Sequence, residues 1–205
     1  MPSRDKELVQ IIDAALADAT RRSGAWLVCH KGCSQCCIGA FAINQLDAAR
    51  LQHGFAELER HDPERAGRIR ERARESVNRI AADFPGDPVT GALAEDQESE
   101  SRFLDFANDE PCPVLDPETG ACELYEWRPL TCRVFGPPVR SGSEGGLGVC
   151  ELCFQGASPE EIAACEMQVD PGNVEERLLD ELRNSTFADG RTIVAFSLIE
   201  ARVKS

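Results

Sequence analysis

Ten cysteines stand out in this 205-residue chain, and nine of them fall into groups. The first group is Cys29-x3-Cys33-x2-Cys36-Cys37. A C-x2-C pair such as Cys33 and Cys36 lets one tight turn present two thiolates to a single ion. Cys37 does not easily join that pair, because adjacent side chains diverge. A vicinal pair in such a turn therefore suggests a second ion or a multinuclear cluster. The second group is Cys112, Cys122 and Cys132, and Cys150 with Cys153 forms another C-x2-C pair. Thiolates select zinc, Cu(I) or iron–sulfur chemistry and disfavour magnesium and calcium. Four thiolates around zinc make a closed structural site, whereas an iron–sulfur cluster on the same residues would carry electrons. Two blander readings compete: buried small hydrophobes and disulfides. Neither packing nor bridging selects C-x2-C spacings or a vicinal pair. Cys165 fits no motif and is expected in the core, outside the metal cluster.

Few other side chains are candidates. His30 lies inside the first group and could replace a thiolate, but the thiolates already outnumber what one ion needs. His53 and His61 have no second ligand nearby in sequence and read as surface residues. Arg128 and Arg133 bracket Cys132. Eight thiolates around two divalent ions leave about four extra negative charges, and guanidinium groups beside the sulfurs would offset them and hold ligand geometry. The competing reading is an ordinary pair of surface arginines. Tyr125 and Trp127 are expected to pack over the site rather than react. Pro129 fits the start of a short helix carrying Cys132. No phosphate-binding loop, dinucleotide fingerprint, H-E-x-x-H or G-x-S-x-G motif is present.

These residues resemble a family. Cys29-His-Lys-Gly-Cys33-Ser-Gln-Cys36-Cys37, then Cys112-Pro-Val-Leu, then Cys122-Glu-Leu-Tyr125-Glu-Trp-Arg128-Pro129-Leu-Thr-Cys132-Arg133 is similar to the YkgJ-type cysteine-cluster family, described as a zinc- or iron-chelating domain with a CxxCxxCC motif. The resemblance runs from about Cys29 to Cys150. It implies chelation by Cys29, Cys33, Cys36, Cys37, Cys112, Cys122, Cys132 and Cys150, in one cluster. Its first gap holds three residues here rather than two, and Cys153 is an addition without an implied role. The cysteine motif also resembles that of flagellin lysine-N-methylases, so the alternative is a metal-dependent protein-modifying enzyme with a pocket between cysteines and helices. A third reading is a structural zinc domain that presents its acidic surface to a basic protein partner.

The elements that must position these cysteines read as helices. The expected fold is mainly α, a compact single domain over 1–205 whose cysteine-rich loops (29–153) lie between helices, with at most a small β-hairpin. Apolar periodicity places helices at 5–22, 45–58 and 63–83, the last two with Asn44 and Asp62 as N-caps. Ser158-Pro159-Glu160-Glu161 is a capping box for a helix at 159–167, and Asn173 with Glu176 starts another at 174–183. Six arginines between Arg65 and Arg79 read as the solvated outer face of the third helix. Residues 85–101 read as an exposed acidic loop, Ser141–Gly148 as a flexible stretch, and Asp116–Gly120 as a turn between Leu115 and Leu124. The tail 192–203 reads as helix, with strand as the alternative.

Composition narrows the function. The formal charge is −14 and the pI about 4.7, so phosphate contacts gain the chain nothing, and neither nucleic acid nor an anionic membrane is an expected partner. No apolar run approaches the roughly 20 residues of a membrane helix, and no apolar segment marks an export signal. Many cysteines without an export signal point to a cytoplasmic protein that keeps them as ligands.

Overall fold

The computed structural model describes residues 4–30, 32–141, 146–186 and 189–199. In chain order its elements are α1 (Asp5–Ser23), β1 (Ala42–Asn44), α2 (Gln45–His61), α3 (Pro63–Ile80), β2 (Gly86–Asp87), β3 (Ala92–Leu93), α4 (Gln97–Asp105), α5 (Leu130–Arg133), β4 (Val139–Ser141), β5 (Gly146–Gly148), α6 (Pro159–Ala164), α7 (Val174–Thr186), β6 (Arg191–Ile193) and α8 (Val194–Ser197). The fold is mainly α, and the described strands form only two-stranded antiparallel pairs: β1 with β6, β2 with β3, and β4 with β5. The described chain groups into two compact units, one of 32–129 with 182–199 and one of 4–30 with 130–181.

The first unit is built on the α2–α3 hairpin. Asp62 ends α2 by donating its N–H to the Leu58 carbonyl (2.7 Å) and starts α3 by accepting from the Arg65 N–H (3.0 Å). Asn44 caps α2 in the same way, accepting from Asp47 N–H at 3.0 Å. The apolar stripes of both helices (Leu51, Phe55, Ala66, Ile69, Ala73) meet Ile43, Val114, Leu124, Val194 and Leu198 in one core, against which Cys112, Cys122 and Trp127 pack. A second core joins Val77, Ile80, Phe84, Leu93, Phe106 and Phe196. Burial of such side chains, at about 1.5–3 kcal/mol each, holds this unit together. The tail realises both expected conformations in turn: residues 191–193 pair with β1, and 194–197 form a helical turn. Residues 200–203 lie outside the described residues.

Two local expectations are corrected, and the expected turn at Asp116–Gly120 forms. The acidic run is not a loop, because Asp96 accepts from the Ser99 N–H (3.0 Å) and starts α4, and β2–β3 precedes it. The arginine face of α3 is not simply solvated. Arg65 (2.7 Å) and Arg72 both pair with Glu123, whose side chain is 6% exposed, and Arg72 also donates to the Pro113 carbonyl (2.9 Å). Arg79 pairs with Glu110 at 2.7 Å. Those three arginines fasten the segment bearing Cys112 and Cys122 to the helix. Around 115–124 the structure has a single bridge, Leu115 to Cys122, closed by a turn in which Asp116 accepts from the Glu118 N–H and the Thr119 hydroxyl.

The second unit opens with α1, which buries Leu8, Ile12 and Ala19 and ends where Gly24 leaves the helix at φ +51°. Arg22 donates to the carbonyls of Ala164 (2.6 Å) and Glu166 (2.9 Å), satisfying the C-terminal end of α6. The Ser158–Glu161 capping box forms, and α6 ends at Ala164 with buried Cys165 following it. A flexible stretch was expected at 141–148; its ends instead pair as β4–β5, and 142–145 lie outside the described residues. A small core of Cys153, Phe154 and Cys165 packs with Trp26, Leu27 and Val149.

The N-cap of α7 differs from expectation. Asn173 adopts a left-handed conformation (φ +50°), and the Asp170 carboxylate instead accepts from Val174 N–H (2.9 Å) and Glu175 N–H (2.8 Å). Asp170→Ala should therefore cost about 1–2 kcal/mol in urea unfolding. A loss indistinguishable from zero would show that this cap is inert.

Candidate metal centre

Each unit carries five cysteines: Cys33, Cys36, Cys37, Cys112 and Cys122 in the first, and Cys29, Cys132, Cys150, Cys153 and Cys165 in the second. All ten are unbridged.

In the first unit the backbone brings two cysteine segments together. Cys36 and Cys37 sit in a 3₁₀ turn, Gln35–Cys37, closed by Cys37 N–H donating to the Ser34 carbonyl (2.8 Å). Cys112 N–H donates to the Cys37 carbonyl (2.8 Å), Gly39 N–H donates to the Glu110 carbonyl (2.8 Å), and Ile38 bridges Pro111. The Leu115–Cys122 bridge then sets Cys122 beside the turn that Leu115 N–H closes on the Cys112 carbonyl (3.0 Å). The two loops also touch at glycines. Gly120 holds φ +67°, and a Cβ there would lie 2.9 Å from the Gly32 carbonyl oxygen, so only glycine fits without displacement.

These thiols act on one another. A hydrogen bond from Cys37 pulls the Cys36 thiol down to about 6, and the Arg128 guanidinium adds to this by stabilising the thiolate. Cys37 is pushed up in turn, as the donor to Cys36, by burial and by negative charge on Cys36, Cys112 and Cys122. Burial pushes Cys112 up to about 12, with Cys122 and Cys36 contributing. Cys122 is raised by burial and opposed by Arg128. Arg128 is itself nearly buried, with its guanidinium 3.8 Å from the Tyr125 ring centroid and bonded to the Tyr125 carbonyl (2.8 Å). Tyr125 thus stacks on the arginine, while Trp127 sits edge-on to the half-exposed His53 (4.9 Å) and over Gly54, where any Cβ would overlap its ring.

In the second unit Cys29 and Cys153 face each other with sulfurs 3.8 Å apart. Cys153 N–H donates to the Cys150 carbonyl (2.8 Å), closing the C-x2-C turn, and the two side chains hydrogen-bond. Burial and the charge of Cys153 raise the Cys150 thiol. Cys150 N–H reaches the Gly136 carbonyl (3.4 Å). Cys132 rides on α5, which begins just after Pro129. Arg133 is buried on the same turn and forms a two-pronged ion pair with Asp13 of α1 at 2.8 and 3.0 Å. Cys165 is buried beside Cys153, and His30 is exposed. The residue that sequence reasoning left without a role is Cys153. Its signal was present in the C-x2-C spacing.

Among the described residues, no group of three or more His, Cys, Asp or Glu is arranged to hold an ion as it stands. The donor chemistry nevertheless fits zinc or iron: soft thiols, one held near its ionised form and with a guanidinium to balance charge. Beside Cys112 and Pro113 the first unit has a partly open pocket of about 20 Å³ lined by Phe41, Ser76 and Ile80. That is room for a water, not for a peptide side chain.

Short loops that carry thiols, on helices that carry the core, define a cysteine-cluster protein. The model of the CxxCxxCC family, described as a "Putative zinc- or iron-chelating domain", matches residues 28–144. That is more than half of the chain, which therefore belongs to this family. The match includes Cys29 to Cys132 and leaves Cys150, Cys153 and Cys165 beyond it. No curated protein and no solved structure matches the chain.

Proposed function

We propose that this protein binds zinc or iron through cysteine thiolates, and that Cys36, Cys37, Cys112 and Cys122 of the first unit make one centre. The observation that carries this is the joining of their two loops, where Cys112 N–H donates to the Cys37 carbonyl (2.8 Å) and Cys122 bridges Leu115, with each of the four thiols shifted by others of the set. Cys33 lies in the same loop. Cys29, Cys132 and Cys150 complete the ligand inventory of the family pattern, with Arg133 holding α5 to α1 through Asp13. A zinc ion in such a site is a closed cross-link between loops, and an iron–sulfur cluster would add electron transfer. The chain's own residues do the rest. Cys36 offers a thiolate at neutral pH, Arg128 balances the charge, and the 3₁₀ turn and the Leu115–Cys122 bridge hold the loops. A reducing cytosol is the compartment we propose, because ten unbridged thiols persist there.

The test is metal analysis of protein purified without oxygen. Zinc or iron should be present in whole-number ratio to chain, with a brown colour and visible absorption if iron–sulfur. Cys36→Ser with Cys37→Ser should bring the first-unit metal to background, and these residues lie in a loop where no described residue from Gly32 to Ala40 is buried. Full metal retention in that double variant would overturn the ligand assignment.

A further inference from the structure

We propose that Cys29 and Cys153 form an oxidisable pair, in which Cys153 is the partner thiol that closes a disulfide with the first cysteine of the family motif. Their sulfurs are 3.8 Å apart within the second unit. A disulfide needs about 2.05 Å, so each sulfur moves by less than about 1 Å. The backbone of the 150–154 segment is tied to the Cys29 segment and to the Gly136 turn beside it. Phe154 N–H donates to the Trp26 carbonyl (2.9 Å), and Cys150 N–H donates to the Gly136 carbonyl (3.4 Å). Gly136 holds φ +119°, and a Cβ there would lie 3.0 Å from the Cys29 sulfur, so the absence of a side chain leaves the space that Cys29 occupies.

The two thiols are unequal in access. Cys29 is exposed, while Cys153 is 3% exposed and packed against Phe154 and Cys165. A peroxide therefore meets Cys29 first. The Cys29 thiolate attacks one peroxide oxygen; the S–O bond forms, the O–O bond breaks, and hydroxide leaves. The Cys153 sulfur then attacks the Cys29 sulfenic acid. The S–S bond forms, the S–O bond breaks, and the departing hydroxide takes the Cys153 proton as water. Two thiols have given two electrons to one hydrogen peroxide. This consequence rests on the metal-binding reading: a Cys29 held in a disulfide no longer offers a thiolate to an ion, so oxidation would withdraw one family ligand.

Full-length protein treated with equimolar hydrogen peroxide, alkylated, digested and mapped by mass spectrometry tests the pair. The expected product is a Cys29–Cys153 cross-linked peptide. It should be lost completely in Cys153→Ser, where dimedone should instead trap Cys29 as sulfenic acid. The close alternative is Cys150, which shares a hydrogen bond with Cys153. Wild-type protein whose oxidised Cys153 is linked to Cys150, or whose Cys29 stays freely alkylatable, would overturn the proposal. The map is read on wild-type chain and needs no metal. If zinc-loaded protein releases zinc on oxidation and takes it up again once a thiol reductant reopens the disulfide, the ligand consequence holds as well. A protein that binds no metal but forms this disulfide would sink the metal reading and leave the pair standing.

Discussion

Arg50→Met should cost the protein about 3–5 kcal/mol of folding stability, the effect expected when one partner of a buried ion pair is removed. Arg50 and Asp47 stand three residues apart on α2 and are both about 1% exposed. They form a direct hydrogen-bonded ion pair in the layer that also buries Leu46, Ala48 and Leu51. Asp47 lies in the first turn of the helix, where the unsatisfied N–H groups favour a negative charge. Removing the guanidinium leaves that carboxylate buried without its cation, and a domain of this size has only about 5–15 kcal/mol to lose. Replacing both residues with apolar side chains (Asp47→Leu with Arg50→Met) should recover most of the loss, because the desolvation cost of the pair disappears with it. Urea unfolding at neutral pH measures both. A single variant within about 1 kcal/mol of wild type would show that the pair is not what it looks to be in this core.

Nothing in the sequence distinguishes Asp47 and Arg50 from a solvated i, i+3 pair, because a helix pattern assigns charged residues to the outer face by default. The same default misread the arginine face of α3. Arg65 and Arg72 look outward by periodicity, yet a segment some 50 residues later lays Glu123 across them. Long-range pairing of that kind leaves no local trace. Local chemistry was legible where it is self-contained: the Asn44 and Asp62 caps, the Ser158–Glu161 capping box and the apolar stripes of α1, α2 and α3 all formed as read. Where two local signals competed, the reading failed. Asp96 could be an acidic loop residue or an N-cap, and the aromatic Phe103, which packs against the second core, decides for helix.

The candidate site divides in the same way. Residue types and spacings exposed the thiols, but not their neighbours. Arg128 and Arg133 look equivalent on either side of Cys132. Arg128 acts on the thiols of the first unit, whereas Arg133 is committed to Asp13, 120 residues away. Cys153 had the spacing of a ligand and no family position to go with it. The meeting of the 26–29 and 150–154 loops is what sets it against Cys29.

Removing metal from the protein should lower its melting temperature by about 10–20 °C while leaving most of the helical circular-dichroism signal. The argument starts from what the cysteine loops lack. No described residue from Gly32 to Ala40 is buried, and of its apolar side chains only the half-buried Ala40 packs against a core of the first unit. Its attachment rests on a few backbone hydrogen bonds to residues 107–112 and on the thiols. An ion that joins Cys36 and Cys37 to Cys112 and Cys122 therefore supplies the cross-link that burial does not, and its binding energy becomes folding energy. Structural zinc in small peptides is worth about 10–16 kcal/mol. In a chain with its own cores, half of the lower figure would produce a shift of about 10–20 °C at 2–4 °C per kcal/mol. Helices α2 and α3 keep Leu51, Phe55, Ile69 and Val77 packed without the ion, so helicity should persist. Cys36→Ser with Cys37→Ser should reproduce the metal-free melting temperature, and a strong chelator should then move it no further. Cys165→Ser should leave metal content unchanged, because Cys165 packs in the small core of the second unit. A chelator that shifts the double variant as far as wild type would place the stabilising ion on other cysteines.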